Sequence, residues 1–167
     1  MSVASTRPVI ERIMQVVEQR LQVMTTGIYP NSPVTEVIRP LRTDSWTPRP
    51  YQILVYLNEQ VESEGLMRPG NPPAIAYDAR IALLCHVMPS ETDTTPFDEY
   101  CNTFYADIVE ALTDSGNPNW YDFGNLAFNA SIGSPEPLGA DGGVDGFLVN
   151  LTVTYRVSEW SPYQVRG

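Results

Sequence analysis

The feature that most constrains the fold is an alternating segment near the end of the chain. Apolar or aromatic residues occupy every second position from Val149 to Val157, and polar residues separate them as far as Ser158. Side chains of a strand alternate between the two faces of a sheet, so this period of two predicts a strand with one buried face. The other face is polar, and it meets either water or a partner protein.

Two amphipathic helices and four further strands are predicted in the rest of the chain. Helical spacing of apolar residues predicts helices over about Pro8–Thr26 and Pro96–Thr113, with Gly27 ending the first. The remaining strands are predicted at Val34–Arg39, Tyr51–Leu57, Ile75–Met88 and Leu126–Ile132. The order helix, three strands, helix, two strands favours an α+β fold. We expect a mainly antiparallel or mixed five-stranded sheet, with both helices on one face, in a single domain over residues 1–167.

Two long connections and two tryptophans are candidate interaction sites. The segments Asn58–Pro73 and Gly133–Gly146 are predicted to be irregular loops, which in a small domain are often functional. Trp46 and Trp160 lie in proline-flanked segments, where a large aromatic residue could anchor an interface or fold back on its own domain. The alternative for the loops is a solvated insertion without a partner. The candidate interface or channel-lining residues are Trp46, Glu59, Glu62, Glu64, Leu66, Met67, Arg68, Asp141, Asp145 and Trp160.

The charged residues exclude several functions. The chain has no lysine, so it cannot form a GxxxxGK phosphate loop, a lysine Schiff base or a protein-kinase ATP site. Ten arginines stand against twenty Asp and Glu, which gives a formal net charge of −10. This balance argues against a groove that grips nucleic acid by neutralising its phosphates. It is compatible with an acidic wall that DNA passes without adhering.

No catalytic, cofactor or metal site is expected. His86 is the single histidine, and because it follows Cys85 in a predicted strand the two side chains should diverge. Cys85 and Cys101 lie on apolar faces and are expected to be buried, unreactive thiols. The segment containing Asp141 and Asp145 lacks the ligand pattern of a calcium loop. We expect neither a secretory signal nor a membrane span, and synthesis in a reducing cytosol.

The chain resembles the tail-terminator proteins of tailed bacteriophages and the related tail-completion and neck proteins. The order of helices and strands is similar along nearly the whole chain. The segment from Asn150 to Glu159, with its Tyr155-Arg156 pair, looks like the family's last strand. The amphipathic first helix followed by Gly27-Ile-Tyr-Pro30 is also similar. The two long connections exceed a minimal member of the family.

This resemblance implies a structural virion protein. Tail terminators form a ring, usually of six copies, that caps the tail tube, contacts the head-side connector and lets viral DNA pass. The implied location is the tail or neck of the virion, after synthesis in the host cytoplasm. Alternatives are a head-completion or stopper connector, a tail-tube subunit and, from another class, an unrecognised ligand-binding domain or enzyme. Tail-tube subunits generally form closed β-sandwiches, so two predicted helices argue against that alternative.

Overall fold

Two long antiparallel strands form the centre of a seven-stranded mixed sheet. The computed structural model describes residues 6–40, 47–63, 68–70, 73–89, 92–138 and 146–165. The central strands pair along their full lengths, from Ala74 opposite Ser158 to His86 opposite Gly146. A side chain at Gly146 would overlap the carbonyl oxygen of Cys85, so glycine is required where this strand begins. The strands are β1 (Glu36–Ile38), β2 (Gln52–Glu62), β3 (Ala74–His86), β4 (Asn129–Ile132), β5 (Glu136–Leu138), β6 (Gly146–Ser158) and β7 (Ser161–Val165).

The strand order along the sheet is β1-β2-β3-β6-β4, and β5 and β7 also pair with β6. β1 runs parallel to β2, and the other pairings are antiparallel. The sheet is therefore mixed, with one edge at β1 and β2 and the other shared by β4, β5 and β7.

Two helices cover one face of the sheet. Helix α1 (Val9–Gln22) continues into a 3₁₀ turn that ends at Gly27, whose φ of 84° is readily adopted by glycine. Helix α2 (Phe97–Leu112) follows β3 and is succeeded by a second 3₁₀ turn at Trp120–Asp122. Buried residues of both helices and of β2, β3 and β6 belong to one hydrophobic core. The α+β class, with both helices on one face, is confirmed.

The predicted alternation of the last long strand is also confirmed. Leu151, Val153 and Tyr155 are buried in β6 on the helix side of the sheet. The residues between them lie on the opposite face, which we call the outer face.

The structure corrects three expectations about the strands. The sheet has seven strands rather than five, because β5 and β7 are too short and irregular to show alternation. β2 continues to Glu62, so Asn58–Glu62 is strand and not the start of a loop. An extra residue between Leu57 and Glu59 forms a bulge, which reverses the phase of the alternation and hides the strand in the sequence. β5 likewise lies inside the segment expected to be an irregular loop.

Arg20 fastens the two helices to each other. Its Nη1 donates to the carbonyl oxygens of Leu112 at 3.0 Å and Trp120 at 2.8 Å. Its guanidinium also lies 4.7 Å from the ring centroid of the buried Phe123. Arg20 of α1 thereby donates a hydrogen bond to a carbonyl oxygen in the last turn of α2, where helix carbonyls lack intrahelical partners.

Candidate interface

The turn between β6 and β7 carries the most exposed large aromatic side chain of the described residues. Ser158 pairs with Ser161, so Glu159 and Trp160 form the turn, and Trp160 is 70% exposed. Tyr163 and Val165 in β7 are exposed as well. Large apolar side chains in such a position are typical of a surface that another molecule covers. We call Glu159, Trp160, Tyr163 and Val165 the hairpin tip.

An open groove of about 460 Å³ lies beside this tip. Its lining includes Glu62 at the end of β2, Arg68 and Glu159. Arg68 is held by two backbone hydrogen bonds with Ala74, 3.1 and 2.9 Å long. The N–H of Glu159 donates to the carbonyl oxygen of Pro73 at 2.9 Å, which joins the hairpin to the segment before β3. Two of the predicted interface residues, Glu62 and Arg68, are thus brought next to the turn that contains a third.

The second half of β2 is exposed along its whole length. Every residue from Tyr56 to Glu62 is exposed, whereas the four residues before them are buried. Tyr56, Leu57 and Val61 are large apolar side chains in this half, and each is about two-fifths exposed. We call the stretch from Tyr56 to Glu62 the β2 edge. It contains the predicted interface residues Glu59 and Glu62.

Polar side chains on the outer face of the sheet form an ion pair and a hydrogen bond with one another. Arg80 Nη1 donates to Glu59 Oε2 at 2.5 Å, and both side chains are about half exposed. Thr154 Oγ1 donates to Asp78 Oδ1 at 2.6 Å. These pairs place charge on the face of the sheet that the helices leave uncovered.

Arg156 adds a second arginine to this outer face. Its guanidinium lies 4.1 Å from the ring centroid of Phe128, a cation–π geometry. Partial burial, with a further contribution from the positive charge of Arg68, lowers the pKa of Arg156 below its ordinary value.

The side of α2 that faces away from the sheet carries only acidic charge. Glu99 and Glu110 are exposed and lie eleven residues apart, which is three helical turns, so they share one side of the helix. The helix contains no basic residue. Asp107 lies off this side, where its Oδ2 accepts a hydrogen bond from the hydroxyl of buried Ser32 at 2.5 Å. The exposed charge of α2 is therefore negative.

His86 and Cys85 lie on opposite faces of β3, as their adjacent positions predicted. The ring Nδ1 of buried His86 lies 2.9 Å from Gln52 Oε1, which can only accept, so Nδ1 donates. Gln52 Nε2 in turn donates to Glu36 Oε1 at 2.7 Å, which links β3 through β2 to β1. Burial lowers the pKa of His86. These contacts hold strands together.

The two thiols differ in burial. Cys85 is buried, as expected, and burial raises the pKa of its thiol well above the usual range, with Cys101 adding to the shift. Cys101 is only half-buried, because it lies at the border of the apolar side of α2, so the expectation of full burial was wrong for this residue.

The predicted site residues divide into two groups and a remainder. Glu62, Arg68 and Trp160 lie together near the hairpin tip, whereas Glu59 pairs with Arg80 on the outer face. Trp160 occupies a tight turn between two strands. The other six predicted site residues lie outside the described ranges: Trp46, Glu64, Leu66, Met67, Asp141 and Asp145.

Sequence reasoning did not identify Tyr163 and Val165, or Tyr56 and Val61, as surface features. Tyr163 and Val165 lie in β7, and Pro162 in this short strand argued against predicting a strand there. The bulge after Leu57 concealed the half of β2 that contains Val61. The available signal was weak, since each stretch contains one aromatic and one β-branched residue.

Searches with protein-family models and among curated proteins find no match to this chain. Within the described ranges, no three His, Cys, Asp or Glu side chains are grouped so that they could hold a metal ion. The helices described here include none with the length and apolar character needed to cross a membrane.

Proposed function

We propose that this protein is a ring-forming tail terminator of a tailed bacteriophage. In this role it caps the completed tail tube, contacts the head-side connector and leaves an opening for DNA. The family named in this proposal comes from the resemblance of the sequence to tail-terminator proteins. The single structural observation that supports an assembly role is the hairpin tip, where Trp160, Tyr163 and Val165 are exposed together.

The distribution of charge is compatible with passage of DNA. Each copy has a net charge of −10, and the exposed Glu99 and Glu110 have no basic residue on the same helix. A channel with negative walls repels phosphates and so prevents DNA from adhering during transfer. The proposal does not require any particular acidic residue to line that channel.

The fold favours a terminator over a tail-tube subunit. Both helices pack on one face of a single sheet, whereas tail-tube subunits generally form closed β-sandwiches. Neither His86 nor Cys85 is placed for joint chemistry, since they lie on opposite sides of β3. These observations support a structural role.

Imaging the purified chain with isolated tail tubes tests the proposal. We expect rings at one end of each tube in negative-stain images, with the protein present in the neck of the assembled virion. Trp160→Ala should weaken capping by roughly tenfold or more in concentration, as for an interface anchor. Tyr121→Ala is the matched control, because Tyr121 is an exposed aromatic residue in the 3₁₀ turn after α2. Absence of the wild-type protein from the neck, or its presence there as a monomer, would refute the proposal.

A further inference from the structure

The edge strand β1 is held to the sheet by a short pairing. Its residues pair with Gln52–Leu54 of β2, and within the described ranges β2 is its only neighbour in the sheet. Val37 is buried, whereas Glu36 and Ile38 are half-buried. The central strands β3 and β6, by contrast, pair along their full lengths. An edge strand with so few main-chain bonds can open locally at a lower cost in free energy than the centre of the sheet.

One polar side of α1 lies next to β1. Glu11, Gln15, Glu18 and Gln22 are spaced by four, three and four residues, so they follow one side of the helix. At the end of this row, Gln22 Nε2 donates to the carbonyl oxygen of Val37 at 3.2 Å. The contact between this side of α1 and β1 is therefore polar.

Arg39, which directly follows β1, joins two glutamates of this row. Its Nη1 and Nη2 donate to the two carboxylate oxygens of Glu11 at 2.6 and 3.0 Å, and its Nε lies 3.4 Å from Glu18 Oε1. Two parallel bonds between a guanidinium and a carboxylate form one of the stronger polar contacts in proteins. The three side chains are each between 30% and 35% exposed. We call Glu11, Glu18 and Arg39 the Arg39 cluster.

The charges around the Arg39 cluster make it sensitive to acid. Among the described residues, the charged groups that act on Glu11 are Arg39 and, more weakly, Arg7, and Gln15 also bonds to it. The hydrogen bond from Arg39, opposed by partial burial, lowers the pKa of Glu11 below its ordinary value. The stabilisation that this pair gives is therefore complete above about pH 4.5 and is lost as the pH falls through the lowered pKa.

The other charged contact of β1 is directed to β2 and not to α1. Glu36 Oε1 accepts a hydrogen bond from Gln52 Nε2 at 2.7 Å and lies 3.8 Å from Arg49 Nη1. The charged groups that face Arg39 from α1 are Glu11 and Glu18. Loss of charge at Glu11 therefore weakens the attachment of β1 to the helix layer directly.

Water reaches the Arg39 cluster in the folded protein. An open groove of about 400 Å³ lies along the same side of α1, and its lining includes Gln15, Glu18 and Gln22. The carboxylates of the cluster can therefore exchange protons with solvent while both helices remain packed on the sheet.

We propose that the Arg39 cluster is an acid-sensitive latch that holds β1 against α1. Protonation of Glu11 removes the negative charge opposite the Arg39 guanidinium and raises the fraction of molecules in which β1 is separated from the sheet, while β3, β6 and both helices stay folded. In the separated state the described part of the chain places no strand beside β2 on the side away from β3, so the whole of β2 becomes an edge. This inference goes beyond the proposed ring and does not depend on it.

Hydrogen–deuterium exchange of the full-length chain, followed by mass spectrometry of its peptides, tests the latch. Peptides that contain β1 are compared with peptides of β3 and β6 at about pH 7 and about pH 4, after correction for the intrinsic exchange rate at each pH. The variants are Glu11→Gln, which removes the charge and keeps the shape, and Arg39→Gln. The matched control is Glu59→Gln, which breaks an ion pair of 2.5 Å on the outer face. Circular dichroism establishes that each variant is folded.

We expect acidification of the wild type to about pH 4 to speed exchange in β1 roughly three- to tenfold relative to β3 and β6. Glu11→Gln and Arg39→Gln should each produce a similar increase already at about pH 7 and little more at about pH 4, because the pair is then absent at both. Glu59→Gln should leave exchange in β1 as in the wild type. If Glu11→Gln does not fold, Glu18→Gln should give a smaller increase in the same direction, because its contact with Arg39 is longer.

Three results would overturn the latch without bearing on the proposed ring. One is unchanged exchange of β1 in folded Glu11→Gln at about pH 7. Another is an equal response to acid in the wild type and in Glu11→Gln, which would assign the response to other carboxylates. The third is a parallel increase in β1, β3 and β6, which would show that acid unfolds the whole domain and does not release β1 alone.

Discussion

The two faces of the sheet are stabilised in different ways. On the helix side of β6, Leu151, Val153 and Tyr155 are buried in the common core. On the outer side, Thr154 bonds Asp78 and Arg156 stacks on Phe128. Burial of apolar area is a large, non-directional contribution, whereas each polar contact adds only a small net amount. The comparison indicates that the helix side maintains the fold and that the outer side contributes far less to it.

The largest effect should come from a cavity on the helix side. Leu151→Ala removes a fully buried side chain and should lower the free energy of unfolding by about 2–5 kcal/mol. Thr152→Ala, one residue away on the outer face, is the matched control and should change it by about 0.5 kcal/mol or less. Urea unfolding followed by circular dichroism measures both. Equal losses would mean that the two faces do not differ as proposed.

The same contrast explains how much of the fold the sequence could predict. The alternation in β6 and the helical spacing in α1 report burial on one face, so those elements and the α+β class were predictable. The continuation of β2 was not, because one extra residue after Leu57 reverses the phase of the pattern. Trp160 was predicted as an interface candidate from its residue type and context. The position of Glu62, at the end of the β2 edge, beside the hairpin tip could not be predicted, because it depends on which strands are neighbours in the sheet.

The next effect should come from the contact that holds the helix layer together. Arg20→Ala removes donors to two carbonyl groups and a contact with Phe123, and should cost about 2–4 kcal/mol. Arg20→Lys should restore only part of this loss, because an ammonium cannot reproduce the planar fork of donors. Thermal and urea unfolding measure both variants. If Arg20→Lys restored the full free energy of unfolding, the positive charge alone, and not the planar geometry of the guanidinium, would account for the link between α1 and α2.

A smaller effect should depend on pH, through His86 on the outer side. Burial lowers the pKa of His86 in the folded state, so below about pH 6.5 the unfolded chain takes up a proton that the folded chain does not. Stability is therefore fully present above that pH and decreases as the pH falls, by no more than about 1.4 kcal/mol per pH unit.

Unfolding experiments between about pH 5 and 7.5 measure this dependence, since histidine titrates in that range. His86→Asn is the matched variant, because its amide can still donate to Gln52 but does not titrate. We expect a flatter profile for His86→Asn than for the wild type. The same slope in both proteins would exclude His86 as its source and assign it to carboxylates.

The smallest effect on stability should come from the ion pair between Glu59 and Arg80. Both partners are about half exposed, so water and salt screen their attraction in spite of the 2.5 Å contact. A double-mutant cycle with Glu59→Gln and Arg80→Gln, followed by urea unfolding, should give a coupling energy of about 0.2–1 kcal/mol. A coupling energy above about 2 kcal/mol would show that the outer face also maintains the fold, and the contrast between the faces would fail. A small coupling energy combined with a change in ring formation by Glu59→Gln would sharpen the contrast, because a side chain of the β2 edge would then matter more between copies than within one.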